Sequence, residues 1–363
     1  MKLQVTQENL NRALSSVGRI ANSHNTLPIL ANVLIKTTKN RLSLLATNLD
    51  IAIVHHIGAK IQEEGAITVP SKLMQEFVNS LPQGVIDLEL NGTKLDINTD
   101  QYHSIVNGII ADDFPVMPLI NNGQSWKINS LVLKKGLQQV VFAASNDETR
   151  QVLTGIYIHT KDKKLYIAAT DSYRLAEKEI GKSSNDISVL VPANAINDLL
   201  RVIGDYDGEV VVTHDDQQIL FQTGESELTT RLVNGNYPDY QKLIPNKFTS
   251  TIELKKNELL NVTKVSALFA RESAGSVTIE LNEEKNTLNI HSVASQLGEN
   301  TATVNGKVKG SGDITLNSRY LLDALNVISG ENVVFGFNGK LEPTLLYDPK
   351  APNYHHVIMP LKS

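Results

Sequence analysis

The strongest constraint on the fold is a sequence pattern that occurs three times at an interval of about 123 residues. Similar strand-like runs contain Leu42, Leu165 and Leu288, and each leucine lies 123 residues after the one before. Pro115 and Pro238 keep the same interval, in the stretches DFPVMP and NYPDY. A copy of this length can bury a core of its own, so the pattern predicts three similar domains in series rather than a solenoid of short repeats.

Each copy combines helical and strand-like segments. Apolar residues at helical spacing predict two helices per copy, at residues 7–20, 70–81, 130–144, 192–203, 255–270 and 317–329. Alternating runs such as VLIKT (33–37) and IYIHT (156–160) predict many strands, and pairs such as Asn91-Gly92 predict the turns between them. The predicted fold class is therefore α+β, with domains at residues 1–121, 122–246 and 247–363.

The composition excludes several kinds of site. The chain has no cysteine, which excludes disulfides, cysteine-ligated zinc, iron–sulfur clusters and cysteine nucleophiles. The opening MKLQVT alternates like a strand rather than forming a signal-peptide core, and no apolar run approaches the roughly 18 residues of a membrane span. We therefore expect a cytoplasmic protein. The net charge of −5 argues against nucleic-acid binding by the surface as a whole.

The sequence contains no motif that predicts an enzyme. It has no P-loop, no G-x-S-x-G elbow and no dinucleotide-binding glycine pattern. The histidines of the pairs His55–His56 and His355–His356 are adjacent, so in a strand they point to opposite faces and neither pair chelates a metal by itself. A hydrolase that uses Asp171 and a histidine is the enzymatic alternative. We expect no catalytic residue, no metal and no cofactor.

The run ATDSYRLA at residues 169–176 places an acid, hydroxyl groups and an arginine at the end of a strand-like segment. Its first-copy counterpart, ATNLDIA at 46–52, keeps the threonine but lacks the tyrosine and the arginine. Thr47 and Thr170 are therefore candidate scaffold residues that close a strand with a side-chain hydrogen bond. Tyr173 beside Arg174 is typical of an interface hot spot. A simple turn is the alternative.

Together these features resemble the bacterial sliding clamps, the β subunits of DNA polymerase III. The resemblance covers the whole chain and rests on ATDSYRLA, RLVNGNYPDY (231–240), YHHVIMPL (354–361), and MKLQV and TLPIL near the start. It implies three tandem domains of the DNA-clamp fold, with helices lining a central hole and sheets outside. It also implies a non-enzymatic processivity factor, a head-to-tail homodimer that encircles duplex DNA without sequence preference and tethers the polymerase.

In this family the ATDxxRL segment helps to form a pocket for short motifs of the polymerase III catalytic subunit, the clamp loader and other replication and repair proteins. The resemblance assigns to this pocket Leu153, Thr170, Ser172, Tyr173, Arg174, Leu175, Pro238, Lys242, Leu243, Leu341, Pro343, Val357, Met359 and Pro360. Their apolar side chains suit a cleft for an extended peptide, with Arg174 and Lys242 as rim donors. Ser172 stands where glycine is usual, Tyr173 where histidine is frequent, and Lys242 where arginine is frequent.

The resemblance also implies residues that face DNA and residues at the dimer interface. The residues expected to face DNA are His24, Lys72, Asp147, Arg150 and Gln151. The predicted helices hold ten basic and five acidic residues, a sum of +5, so the rest of the chain sums to −10. A positive bore of this kind suits contacts to phosphates without sequence preference. The dimer interface is expected to join Leu268 and Phe269 to Val106 of a second chain.

The alternative function is a three-domain peptide-binding scaffold that has the same fold and no role on DNA. The segregation of charge onto the helices disfavours it. For the clamp, we expect a cytoplasmic location in association with the nucleoid.

Overall fold

The computed structural model describes residues 1–21, 27–38, 41–115, 119–296 and 298–362. The α-helices in these ranges are α1 Gln7–Ala21, α2 Ser71–Ser80, α3 Ser130–Val140, α4 Ala193–Ile203, α5 Lys256–Phe269 and α6 Ser318–Val327. They confirm the six predicted helices. Helix α3 ends earlier than predicted because residues 141–143 tighten into a 3-10 turn.

The strands are short and mostly joined by tight turns. In chain order they are β1 Lys2–Thr6, β2 Asn32–Thr38, β3 Arg41–Thr47, β4 Ile51–Gly58, β5 Lys60–Glu63, β6 Ala66–Pro70, β7 Val85–Asn91, β8 Lys94–Asn98, β9 His103–Asn107, β10 Gln124–Asn129, β11 Gly155–Lys161, β12 Lys164–Thr170, β13 Arg174–Lys182, β14 Ser188–Pro192, β15 Glu209–His214, β16 Gln218–Thr223, β17 Ser226–Arg231, β18 Ser250–Lys255, β19 Ser276–Asn282, β20 Thr287–Ala294, β21 Gly298–Asn305, β22 Lys307–Lys309, β23 Gly312–Asn317, β24 Asn332–Phe337, β25 Thr344–Asp348 and β26 Ala351–Ile358. Gly92, between β7 and β8, has a φ of +63°, which confirms the turn that the Asn-Gly pair predicts.

Residues Met1–Leu131 and Asn197–Leu232 form one compact unit. This unit contains a five-stranded sheet in the order β5-β1-β7-β8-β9 and an eight-stranded sheet in the order β10-β15-β16-β17-β4-β3-β2-β6. Helix α1 packs against α2 and against strands β3 and β4. Its residues Leu10, Leu14 and Val17 are buried, whereas Arg12 and Arg19 are exposed. This spacing gives the helix one apolar face and one basic face.

Residues Val132–Ile196 and Val233–Ser363 form the second compact unit. Its larger sheet has nine strands in the order β14-β11-β12-β13-β26-β25-β24-β18-β22, and its smaller sheet has four in the order β21-β20-β19-β23. Helix α5 packs against α6 and against strands β20 and β21. Asn317 caps α6, because its side-chain oxygen accepts a hydrogen bond from the Arg319 amide at 2.9 Å.

In each unit the larger sheet runs across a boundary between sequence copies. In the first unit β17 pairs antiparallel with β4, and in the second β26 pairs antiparallel with β13. Strands β4 and β13 occupy equivalent places in their copies, since they begin at Ile51 and Arg174, 123 residues apart. The two joins therefore repeat one arrangement. In contrast, β9 and β21 are edge strands of their sheets.

Candidate functional site

The ATDSYRLA run forms a turn that occurs twice in the chain. Thr170 ends β12, and its Oγ1 donates to the Arg174 carbonyl at 2.6 Å and accepts from the Ser172 amide at 3.1 Å. Thr47 makes the same two bonds in the first copy, at 2.9 and 3.1 Å. The Asp171 carboxylate closes the turn by accepting from the backbone amides of residues 173 and 174, both at 2.9 Å. The scaffold role predicted for the two threonines is confirmed.

Ser172 has a backbone conformation that normally favours glycine. Its φ is +77°, and the equivalent Leu49 in the first copy has a φ of +79°. Such a left-handed conformation is uncommon for residues with a Cβ, which is the physical reason that a glycine suits this position. The Ser172 hydroxyl accepts a hydrogen bond from Arg150 Nη1 at 3.1 Å, and Arg150 Nε also bonds the Asp147 carboxylate at 3.0 Å. The serine therefore ties this turn to the segment that begins at Asp147.

Arg174 lies inside the protein rather than at a pocket rim. Only 8% of the surface of Arg174 is exposed. The guanidinium bonds the Asp171 carboxylate through Nε at 3.1 Å and the Phe142 carbonyl through Nη2 at 2.8 Å. The prediction that Arg174 is a rim donor for peptide carbonyls is therefore wrong. Burial of a guanidinium requires fixed partners, and this chain supplies them internally.

An apolar cluster lies beside the turn. Leu175 of β13 and Val357 of β26 are cross-strand neighbours, and both are buried with Ala168, Tyr240 and Leu345. Around them pack the partly buried residues Tyr157, Tyr237, Ile244, Phe248 and Tyr347. The cluster has the composition expected for the base of an apolar binding surface.

The fourteen predicted pocket residues all lie in the second unit and differ in exposure. The buried ones are Leu153, Thr170, Arg174, Leu175 and Val357. Half-buried are Pro343, Met359 and Pro360. The exposed ones are Ser172, Tyr173, Pro238, Lys242, Leu243 and Leu341. Tyr173, Leu243 and Leu341 expose 58%, 45% and 67% of their surface, an unusual amount for large apolar or aromatic residues.

The C-terminal tail is fixed next to the turn. The Met359 amide donates to the Tyr173 carbonyl at 2.8 Å, and the Leu361 amide donates to the Thr315 carbonyl at 2.9 Å. Thr344, which follows Pro343, bonds the Ile358 carbonyl at 3.1 Å. These bonds bring together the residues that flank three strands: Tyr173 just before β13, Pro343 just before β25 and Met359 just after β26.

A polar layer that the sequence did not predict supports the segment Tyr240–Leu243. The Tyr240 hydroxyl and His159 Nε2 lie 2.7 Å apart, and Glu177 lies 3.2 Å from His355 Nδ1. Burial lowers the pKa of His159, which favours the neutral ring. Burial opposes ionisation of Glu177, but hydrogen bonds from His355, Tyr240 and Gln241 outweigh it and lower the pKa of the carboxyl. Tyr240 stands in the quoted NYPDY run, whereas no sequence signal marks His159 or Glu177.

The residues predicted to face DNA lie in different surroundings. Lys72 is exposed in the first turn of α2. Arg150 and Gln151 lie in the 3-10 segment Glu148–Thr154, which Asp147 caps. Hydrogen bonds from Thr149, and then from Arg150, lower the pKa of the Asp147 carboxyl. His24 lies outside the described residues.

The predicted interface residue Val106 is buried, with 6% of its surface exposed. Its neighbour Ile105 is 53% exposed, because successive side chains of strand β9 point to opposite faces. In the single chain Ile105, rather than Val106, is therefore the exposed apolar residue of this strand, and the contact of Val106 with a second chain stays a prediction. Leu268, near the end of α5, is 53% exposed and Phe269 is half-buried.

The adjacent histidines point apart, as the strand geometry predicts. His55 Nδ1 contacts Ser226 Oγ at 2.6 Å, whereas His56 Nδ1 contacts Ser43 Oγ at 2.8 Å. Within the described ranges, no group of three or more histidine, aspartate or glutamate side chains is arranged to hold a metal ion. In the same part of the chain, no helix has both the length and the apolar character to cross a membrane.

Comparison with known proteins gives the same family over the whole chain. Three models of the DNA polymerase III beta subunit match it: the N-terminal domain at residues 1–118, the central domain at 127–239 and the C-terminal domain at 241–362. The beta sliding clamp of Synechococcus elongatus is 32% identical over 100% of this chain and 99% of its own length. That of Bacillus subtilis is 28% identical over 100% of both chains.

Solved structures agree with these relatives. A crystal structure of the Bacillus subtilis sliding clamp superposes with a TM-score of 0.95 at 26% identity, covering 100% of this chain and 99% of that one. The Pseudomonas aeruginosa clamp bound to griselimycin gives a TM-score of 0.95 at 26% identity, with 100% of both chains covered. The chain therefore belongs to the β sliding clamp family, the non-catalytic processivity factors of DNA polymerase III.

Proposed function

We propose that the chain forms a ring-shaped homodimer that encircles duplex DNA, slides on it without sequence preference, and holds polymerase and other partners through the pocket beside the ATDSYRLA turn. The arrangement of the strand edges carries this proposal. Strands β4 and β13 each pair with the last strand of the following copy, β17 and β26. The third-copy counterpart of β4 and β13 is β21, and the first-copy counterpart of β17 is β9.

Strands β9 and β21 lie at sheet edges in the single chain. An edge strand such as β9 or β21 offers unpaired backbone groups to another strand. Pairing β9 of one chain with β21 of a second would repeat the join already made twice within the chain. It would also unite the five-stranded and four-stranded sheets into one of nine strands, the size of the large sheet in the second unit. Because each chain offers one edge of each kind, two chains close head to tail.

The same geometry defines the interface residues. Ile105 on β9 takes the place that the sequence assigned to Val106. Leu268 and Phe269 belong to α5, which packs against β21. We therefore propose an interface that combines backbone pairing of the two strands with apolar contacts from Ile105, Leu268 and Phe269.

The pocket is proposed to bind short linear motifs of the DNA polymerase III catalytic subunit, the clamp loader and other replication and repair proteins. The exposed Tyr173, Leu243 and Leu341 beside a buried apolar cluster support this assignment. The griselimycin complex of the Pseudomonas clamp shows that a related clamp binds a ligand. An extended peptide would insert apolar anchors between the C-terminal tail and the segment Tyr240–Leu243.

DNA contact is proposed to come from the helices, Lys72 of α2 among them, together with Arg150 and Gln151. The six helices of the structure carry nine basic and five acidic residues, although the whole chain has a net charge of −5. Phosphate contacts of this moderate strength position DNA without reading its sequence. Persistence on DNA would then come from the closed ring. His24 stays a prediction, as do the domain boundaries near residues 122 and 246 and the cytoplasmic, nucleoid-associated location.

The deciding experiment is retention on DNA. The protein is loaded onto nicked circular DNA with its cognate clamp loader and ATP, washed with high salt, and the circles are then linearised. A topological link predicts survival of the wash on circles and loss from the cut ends. Loss from closed circles after verified loading would contradict the ring and favour the peptide-binding scaffold.

A further inference from the structure

The buried Arg174 is bonded to a helix that contributes no residue to the predicted pocket. Its Nη1 donates to Asp323 of α6 at 2.5 Å. Tyr320, one turn earlier on α6, presents its ring 4.6 Å from the Arg174 guanidinium carbon. The arginine thus connects the pocket turn with α6, 149 residues away in sequence, by an ion pair and a cation–π contact.

The exposure of these side chains shows that the ion pairs are largely shielded from water. The Arg174 side chain is 9% exposed, Asp171 is 14% exposed and Asp323 is 31% exposed. Loss of one partner of a buried charge is costly because the remaining charge keeps its desolvation penalty without compensation. Arg174 also precedes Leu175, the buried residue at the base of the pocket. A displaced guanidinium would therefore move both the turn and the base of the pocket.

We infer that Asp323 is a positioning residue for peptide binding: it fixes Arg174, and Arg174 holds the turn that carries Ser172 and Tyr173. The inference rests on the proposed peptide pocket. It assigns to α6 a role in partner binding without contact between Asp323 and the peptide. It differs from a rim role for Arg174, in which the guanidinium would bond the ligand directly.

The same geometry limits what the pocket recognises. Two carboxylates, Asp171 and Asp323, already outnumber the single positive charge of Arg174. Lys242 is the other basic residue of the predicted pocket. Its side chain is 82% exposed and pairs with Asp239 at 2.8 Å. An acidic group on a ligand gains little from an exposed, already paired lysine. The site therefore takes a ligand with apolar anchors, and an acidic residue adds little affinity.

The test is the affinity of griselimycin, the ligand of the Pseudomonas clamp, for the full-length dimer, measured by titration calorimetry. Asp323→Asn should bind about tenfold more weakly, the effect expected when a buried charge-assisted hydrogen bond loses its charge. Asp323→Glu keeps the charge and should recover most of the affinity. The matched control is Glu179→Gln on β13, which breaks the partly exposed ion pair of Glu179 with Lys164 of β12 (2.9 Å), away from Arg174. It should bind like the wild type.

A double-mutant cycle with Arg174→Lys separates positioning from direct contact. If Asp323 acts through Arg174, the double variant should be little weaker than the weaker single variant, because the two residues form one unit. Wild-type affinity in Asp323→Asn, or fully additive losses, would overturn the inference. A wild-type protein that binds neither griselimycin nor a polymerase peptide would instead refute the pocket itself, and the inference with it. Once loaded, all variants should be retained equally on circular DNA, because the closed ring does not depend on the pocket; loading itself should fall where binding of the clamp loader is weakened.

Discussion

The dimer proposal is tested most sharply by two neighbouring residues of β9, Ile105 and Val106. Full burial of an isoleucine side chain stabilises an interface by about 1.5–3 kcal/mol. Ile105 is 53% exposed in the single chain, so about half of that, roughly 1 kcal/mol, is available to the interface. A closed head-to-tail dimer contains the contact twice. Ile105→Ala should therefore cost about 2 kcal/mol of dimerisation free energy, close to a 30-fold rise in the dissociation constant.

Val106→Ala should behave in the opposite way. Val106 is 6% exposed, and its truncation leaves a small cavity that should lower the free energy of unfolding by about 1–2 kcal/mol. It should change the dissociation constant far less than Ile105→Ala does. Sedimentation equilibrium measures the dissociation constant, and urea denaturation at fixed protein concentration measures stability. A larger loss of dimer in Val106→Ala than in Ile105→Ala would refute the orientation assigned to β9 and to the interface.

Three further predictions concern the pocket and its support. Deletion of residues 359–363 should abolish peptide binding while the dimer persists, because the Met359 amide fixes the tail to the turn; undiminished affinity in the truncated protein would refute this placement. Tyr240→Phe should lower the free energy of unfolding in urea by about 1–3 kcal/mol, because His159 loses a buried partner, and an unchanged midpoint would contradict that bond. Burial, aided by the charge of Arg174, lowers the pKa of His356 to about 3, so the folded protein holds this ring neutral. The stability that the neutral ring contributes is therefore fully present above about pH 6.5 and is lost as the pH falls towards 3. In His356→Leu the loss of stability between pH 7 and pH 5 should be shallower, by at most about 1.4 kcal/mol per pH unit, and identical slopes for the two proteins would refute the shift.

The helices and turns could be predicted because their signals are local. Buried residues of α1 recur every three or four positions, and Asn-Gly pairs specify tight turns whatever surrounds them. The repeated threonine turn is also local, since the side chains of Thr170 and Asp171 bond backbone groups within four residues. This is why the scaffold role of the threonines could be predicted from the comparison of two copies.

Sequence patterns were least informative where they were ambiguous or where the partner residue was distant. Ile105 and Val106 are both apolar and adjacent, so alternation along β9 could not decide which of them faces the core. Arg174 carries a charge, and a charged residue in a binding motif is expected at the surface. Its burial depends on the Phe142 carbonyl and on Asp323, and no local pattern marks either as a partner.

Sequence patterns alone were enough to predict the number of copies, the α+β class, the six helices and the family. Those properties depend on periodicity and on motifs that each lie within a short stretch of chain. The tertiary structure alone decided which side of β9 is exposed, which strands remain at sheet edges, and that the arginine of ATDSYRLA is an internal ion-pair centre. Those properties depend on pairs of residues that are far apart in sequence, and only the packing of sheets and helices brings such pairs within bonding distance.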